Sequence, residues 1–117
     1  MREPTWPKLF GKWCKRLLIE TKWRCKTLAD PNLDKDDVAT VTYKSEYRTA
    51  TFHYRPGSQP ENNTACHEVV HLSLARVWAA AEKLLAEDQA GKDWFEAVLE
   101  ESVEEIANAF LAAYGEE

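Results

Sequence analysis

The sequence predicts a small α+β domain with the element order helix, three strands, two helices. Apolar residues recur at intervals of three and four near the N-terminus and through most of the second half, the spacing of one helical face. Between these regions, over residues 22–54, apolar and polar residues alternate with the period of two that belongs to strands. Turn formers gather at "ADPNLDKDD" and "RPGSQPENN" and separate the segments. A chain of 117 residues without internal repeats is expected to form one domain, residues 1–117, with the sheet packed against the two C-terminal helices.

In "PTWPKLFGKWCKRLLIET" the residues Phe10, Trp13, Cys14, Leu17 and Leu18 line one face of an N-terminal helix. "KWRCKTL" then alternates Trp23 and Cys25 with Lys22, Arg24 and Lys26, which puts the basic side chains on one face of a first strand. "VATVTY" and "TATFHY", joined by "KSEYR", read as two more, giving a small three-stranded antiparallel sheet. Asn62, Asn63 or Thr64 can cap the next helix, in which Val70, Leu74, Val77, Trp78, Ala81, Leu84 and Leu85 repeat as one continuous stripe. Gly91 is expected to stop that helix and Asp93 to cap the last one, which contains "WFEAVLEESVEEIANAFLAAY".

Hydrophobic residues make up 44% and charged residues 30%, the balance of a globular chain and not of a disordered or membrane one. No apolar run approaches the ~20 residues that cross a bilayer. Charges and prolines interrupt the N-terminal apolar positions, unlike a secretory signal, so a cytoplasmic location is expected. Cys14, Cys25 and Cys66 have no CxxC spacing and read as free thiols. The net charge of −5 hides an asymmetry: residues 1–26 carry eight Lys/Arg against two Glu, and residues 87–117 carry ten Asp/Glu against one Lys. Basic residues interleaved with Trp6, Trp13 and Trp23 fit a nucleic-acid surface. The preferred reading puts the tryptophans in the core and the lysines on a solvated rim, near the acidic last helix, with nucleic acid the lesser partner.

The chemistry lies in "TACHEVVHLSLARVW", which has the spacing H-E-x-x-H. On a helix, positions i and i+4 are separated by about 40° around the axis and about 6 Å along it, so His67 and His71 can converge on one metal ion. Glu68 lies beside that ion, where its carboxylate can take a proton from water as a general base. The pattern uses two of the three histidines, opens a helix and follows a strand pair. A catalytic zinc needs a third protein ligand. Cys66 points about 100° away from His67, and His53 reads as a strand-surface residue. The last helix offers Glu100, Glu101, Glu104 and Glu105, of which at least two should only be solvated. Its early apolar positions Phe95, Val98 and Leu99 centre nearer Glu105, and the later ones, Val103, Ala107 and Leu111, shift toward Glu104, so periodicity leaves the choice open.

"HEVVH" followed on a later helix by "EEIANAF" resembles the gluzincin metallopeptidases, whose third zinc ligand is a downstream glutamate. The pattern E-x-x-A-[ND]-x-F, filled by Glu104, Ala107, Asn108 and Phe110, is similar to the ligand helix of the ImmA/IrrE-type regulatory peptidases. Size and element order resemble the minigluzincins, a minimal zincin-like fold, and "SEYRTATFHYRP" resembles the strand before the active-site helix in phage and prophage metallopeptidases of this kind. The resemblance covers roughly residues 20–115 and departs from the ImmA/IrrE proteins after "ANAFLAAYGEE", where their Leu-Met-Pro ending is absent. It implies a zinc cofactor held by His67, His71 and Glu104 rather than Glu101 or Glu105, with Asn108 orienting a ligand histidine through its other ring nitrogen.

The expected function is therefore that of a zinc-dependent metallopeptidase, a hydrolase that cleaves peptide bonds with zinc-bound water and Glu68 as general base. A peptide or protein substrate would lie along an exposed strand, for which Thr49–Tyr54 is the candidate, and Tyr114, Tyr47 or His53 would donate to the transition state. The alternative is a catalytically silent zinc-binding regulatory or interaction module, because so small a domain has little room for a walled cleft.

Overall fold

The computed structural model describes residues 4–115 and has the α+β class expected. Helix α1 spans Trp6–Arg16. The Thr5 hydroxyl accepts from the Lys8 amide at its start, Pro7 lies in its first turn, and Lys15 and Arg16 sit in its last turn, where cations suit the negative helix end. Trp6, Leu9, Phe10, Trp13 and Cys14 form its buried face. Leu18, expected on that face, lies beyond the helix in the left-handed region (φ 57°) and is exposed. It leads into a 3₁₀ turn over Ile19–Thr21.

Strands β1 (Arg24–Ala29), β2 (Ala39–Lys44) and β3 (Thr49–Tyr54) form a sheet in the order β1-β3-β2. The pair β2–β3 is an antiparallel hairpin, whereas β1 runs parallel to β3, so the sheet is mixed and not antiparallel as expected. Alternation along each strand fixes which face is apolar but not which strand lies in the middle. Burial decides that: β3 carries Ala50 and Phe52 into the core, while β1 is exposed along most of its length. β3 is therefore not an edge strand, and the free edge beside the helices belongs to β2. On the inner face, the small Ala50 side chain lets Trp23 and Tyr43 meet edge-on at 5.9 Å across the central strand.

Helix α2 (Asn62–Ser73) begins after Glu61 without a side-chain cap. Asn62, one of the expected caps, instead accepts a hydrogen bond from the Trp13 indole at 2.8 Å and ties α1 to α2. The expected continuous helix breaks at Leu74, with α3 running from Ala75 to Leu84. Ser73 supplies a physical reason, because its hydroxyl donates to the Val70 carbonyl at 2.7 Å and competes with the helical ladder.

Helix α4 (Gln89–Ala113) starts earlier than expected. Asp88 is its cap, accepting from the Gly91 amide at 2.9 Å, so Gly91 lies in the first turn and stops nothing. Asp93, expected as the cap, accepts from the Gln89 side chain. A Cβ on Gly91 would meet the Asp88 carboxylate at 2.5 Å. Asp88→Ala is expected to lower stability by about 1 kcal/mol in urea titrations. Gly91→Ala, a change that usually stabilises a helix interior, is expected to give no gain, since its methyl group displaces the capping carboxylate.

The core joins α1, the inner sheet face, α2 and one stripe of α4, with Val103, Ala107 and Leu111 against α2. Phe10 stacks on Phe52 at 4.6 Å. Trp6, Trp13 and Trp23 are all buried, as the preferred reading had it, and none offers a ring face on which a base could stack. Among the described residues, no helix is long and apolar enough to cross a membrane.

Candidate metal centre

His67 and His71 occupy successive turns of α2, and their rings lie 4.8 Å apart at 66°. Both face α4. His67 Nε2 lies 2.9 Å from one carboxylate oxygen of Glu100, and His71 Nε2 lies 3.0 Å from the other. One carboxylate thus spans both imidazoles. The remaining ring nitrogen of His67, Nδ1, lies 3.0 Å from Glu104. The earlier histidine meets both glutamates and the later one meets only Glu100, which shows that α2 and α4 run antiparallel.

This placement moves the sequence expectation by one helical turn. Glu100 occupies the position between the two histidines where Glu104 was expected, and it is Glu104, not Asn108, that meets the outer nitrogen of a histidine, Nδ1 of His67. Asn108 lines the cluster's own cavity of about 330 Å³ together with His67, Glu68, Glu100, Glu104 and Asp37, and Glu101 and Glu105 do not border it. The physical reason is the point at which the helices cross. Val103, Ala107 and Leu111 pack against α2, with the Cys66 thiol 3.8 Å from the Ala107 carbonyl, and His67 lies opposite residues 100 and 104.

Glu68 joins the same cluster: ligand atoms of His67, Glu68 and His71 all lie within 4.8 Å of one another. Its carboxylate accepts a hydrogen bond from the Val41 amide of β2. The bond follows from strand geometry. The Arg55 amide donates to the Val38 carbonyl, so by antiparallel alternation Ala39, Val41 and Tyr43 turn their backbone groups away from β3 and toward the free edge. Burial, and then the charges of Glu100 and Asp37, push the Glu68 carboxyl up to about 8, against the lowering effect of the Val41 bond. His71 is held below its ordinary range, mainly by burial, which favours the neutral imidazole that metals bind.

The three residues proposed as transition-state donors are elsewhere. His53 is on the opposite sheet face, between Thr42 at 2.9 Å and Asp30 at 3.1 Å. Tyr114 packs edge-on against Trp13 under the Arg16 guanidinium, and Tyr47 is 65% exposed in the β2–β3 turn. Tyr43, which the sequence did not single out, lines a cavity with His71, Trp78 and Glu100, and burial raises its phenol. Nothing in its spacing marks it; only its place on β2 opposite α2 does. A larger cavity, about 520 Å³, lies away from the histidines, over the sheet beside Arg24, Lys26 and Lys44.

Two imidazoles converging on one carboxylate form a donor set that fits zinc: two ring nitrogens and one carboxylate oxygen, with a second carboxylate behind the first imidazole. Comparison with known protein families, curated proteins and solved structures finds no match to this chain.

Proposed function

We propose that the chain is a zinc-dependent peptidase in which His67, His71 and Glu100 hold the metal and Glu68 is the general base. The observation that carries the reading is the Glu100 carboxylate lying within hydrogen-bond distance of the Nε2 atoms of both helical histidines. Bound zinc would lower the pKa of a coordinated water toward ~7 and polarise a carbonyl.

The protein's own residues supply the rest. Glu68, beside both histidines and against the Val41 amide, is placed to accept a proton from water and return it to the leaving amine, and the charge of bound zinc would oppose the burial that raises its carboxyl. Glu104 holds Nδ1 of His67 and so fixes the ring with Nε2 toward Glu100. Outward backbone groups at Ala39 and Tyr43 flank the Val41–Glu68 bond, and an extended peptide can pair with them as an added strand. The Tyr43 phenol, on the His71 side, is the donor available to a developing oxyanion.

Purified protein is expected to carry about one zinc per chain and to cleave unstructured peptides. Chelation should abolish cleavage and lower the Tm, and added zinc should restore both; at zinc a hundredfold above Kd the stabilisation is about 2.7 kcal/mol. Zinc bound with no cleavage of a broad peptide library would favour the silent binding module. A Tm indifferent to zinc would remove the metal centre itself.

A further inference from the structure

Away from the histidines, the fold gathers cations at one end of the sheet. Register aligns Arg24, Thr49 and Lys44 in one row across β1, β3 and β2, and Lys26, Thr51 and Thr42 in the next row on the same face. That face points away from the helices, because Ala50, between Thr49 and Thr51, belongs to the face that enters the core. These rows line the cavity of about 520 Å³. Its cations stand on the two flanking strands, roughly 10 Å apart, and threonine hydroxyls form the floor between them. A second cavity, about 360 Å³, lies on the helix side of the same end and holds Lys22, Arg48 and Arg76 beside Leu72 of α2. The two adjoin where the Arg24 amide donates to the Arg48 carbonyl at 2.8 Å.

No aspartate or glutamate lines either cavity, and Glu20 and Glu46, on the neighbouring turns, are exposed outside them. Among the described residues, none of the six cations has a carboxylate within ion-pair distance. The chain as a whole carries −5, and its histidine cavity is walled by Asp36, Asp37, Glu100 and Glu104. Positive charge is thus concentrated at one pole of an acidic molecule, a field that attracts a polyanion.

We propose that this pole binds single-stranded nucleic acid, with phosphates on the six cations and one base stacked on Tyr47. The hydroxyls of Thr42, Thr49 and Thr51 add donors for phosphate oxygens beside the cations. Tyr47 lies in the turn that joins Lys44 to Thr49, is 65% exposed and meets no other ring among the described residues. A base stacks on such a ring only when it is free of a duplex. The two cavities lie on opposite faces of the sheet, so a flat lipid surface reaches one or the other, whereas a flexible strand bends over the start of β1 and reaches both.

The full-length protein is to be titrated into a fluorescein-labelled oligo(dT) of about twelve nucleotides, with anisotropy read between about 50 and 200 mM salt. The logarithm of the affinity should fall against the logarithm of salt with a slope of about −3 to −4, as roughly four to six neutralised phosphates require. Combining Arg24→Gln, Lys26→Gln and Lys44→Gln should flatten the slope by about 2 and weaken binding by about tenfold or more at the low-salt end. Tyr47→Ala, which serves also should the triple variant fold poorly, should cost about tenfold and leave the slope unchanged, while Tyr47→Phe should bind as wild type. Lys83→Gln, on α3 outside both cavities, should also bind as wild type. No anisotropy change at low salt, a folded triple variant or Tyr47→Ala that binds as wild type, or tighter binding to phosphatidylserine vesicles or to polyglutamate than to the oligonucleotide overturns the proposal. These readouts do not involve zinc and are independent of the peptidase reading.

Discussion

Glu68→Gln is expected to reduce peptide cleavage by about 10²–10⁴-fold, the usual worth of a positioned general base, while zinc content stays at the wild-type level. The substitution keeps size and can still accept from the Val41 amide, so α2 and β2 should remain in place. It also relieves a cost. A carboxyl whose folded pKa lies above its unfolded one weakens the fold as pH rises between the two, and a neutral amide has no such penalty. The metal-free variant should therefore melt no lower than metal-free wild type at pH 8, which guards against reading an unfolded protein as an inactive one. Equal cleavage by both proteins would assign the activity to a contaminant or to another base.

Glu100→Ala should remove most of the zinc at concentrations that saturate wild type, because the change deletes the one carboxylate shared by His67 and His71. Glu104→Ala should weaken zinc binding by only about 10- to 100-fold, the loss typical of an outer partner of a ligand histidine. Isothermal titration with zinc on both variants separates the assignments. The reverse ranking would put the metal one turn further along α4, with Glu104 as ligand and Asn108 behind His67.

That single turn is where the sequence ran out of information. Residues 100, 104 and 108 share one side of α4 because each step of four residues returns to nearly the same direction. The pairs Glu100/Glu104 and Glu104/Asn108 are therefore equivalent by spacing. The packing of Val103, Ala107 and Leu111 on α2, with Cys66 against Ala107, decides which pair faces His67, and that packing depends on how α2 crosses α4. The histidines and Glu68 were legible because one rigid helix sets their mutual geometry. Strand existence was legible for the same reason: "TATFHY" alternates cleanly and spans the β3 residues. Strand order was not, since the pattern of β1 is the same whichever neighbour it pairs with. The single helix expected from Ala65 to Leu85 failed at Ser73, a hydroxyl whose preference for its own backbone leaves no trace in hydrophobic periodicity.

A three-stranded sheet has two free edges, and this chain treats them differently in a way that bears on its behaviour at high concentration. Along β1, Arg24 and Lys26 stand exposed at the margin, so two copies meeting there would bring like charges into register, and fibre-like growth of sheet on sheet is discouraged. Along β2 the Val41 amide is already engaged by Glu68, which leaves only short stretches of open backbone on either side. A visiting strand is thus turned away on one side and admitted on the other only in a brief, interrupted register beside Glu68.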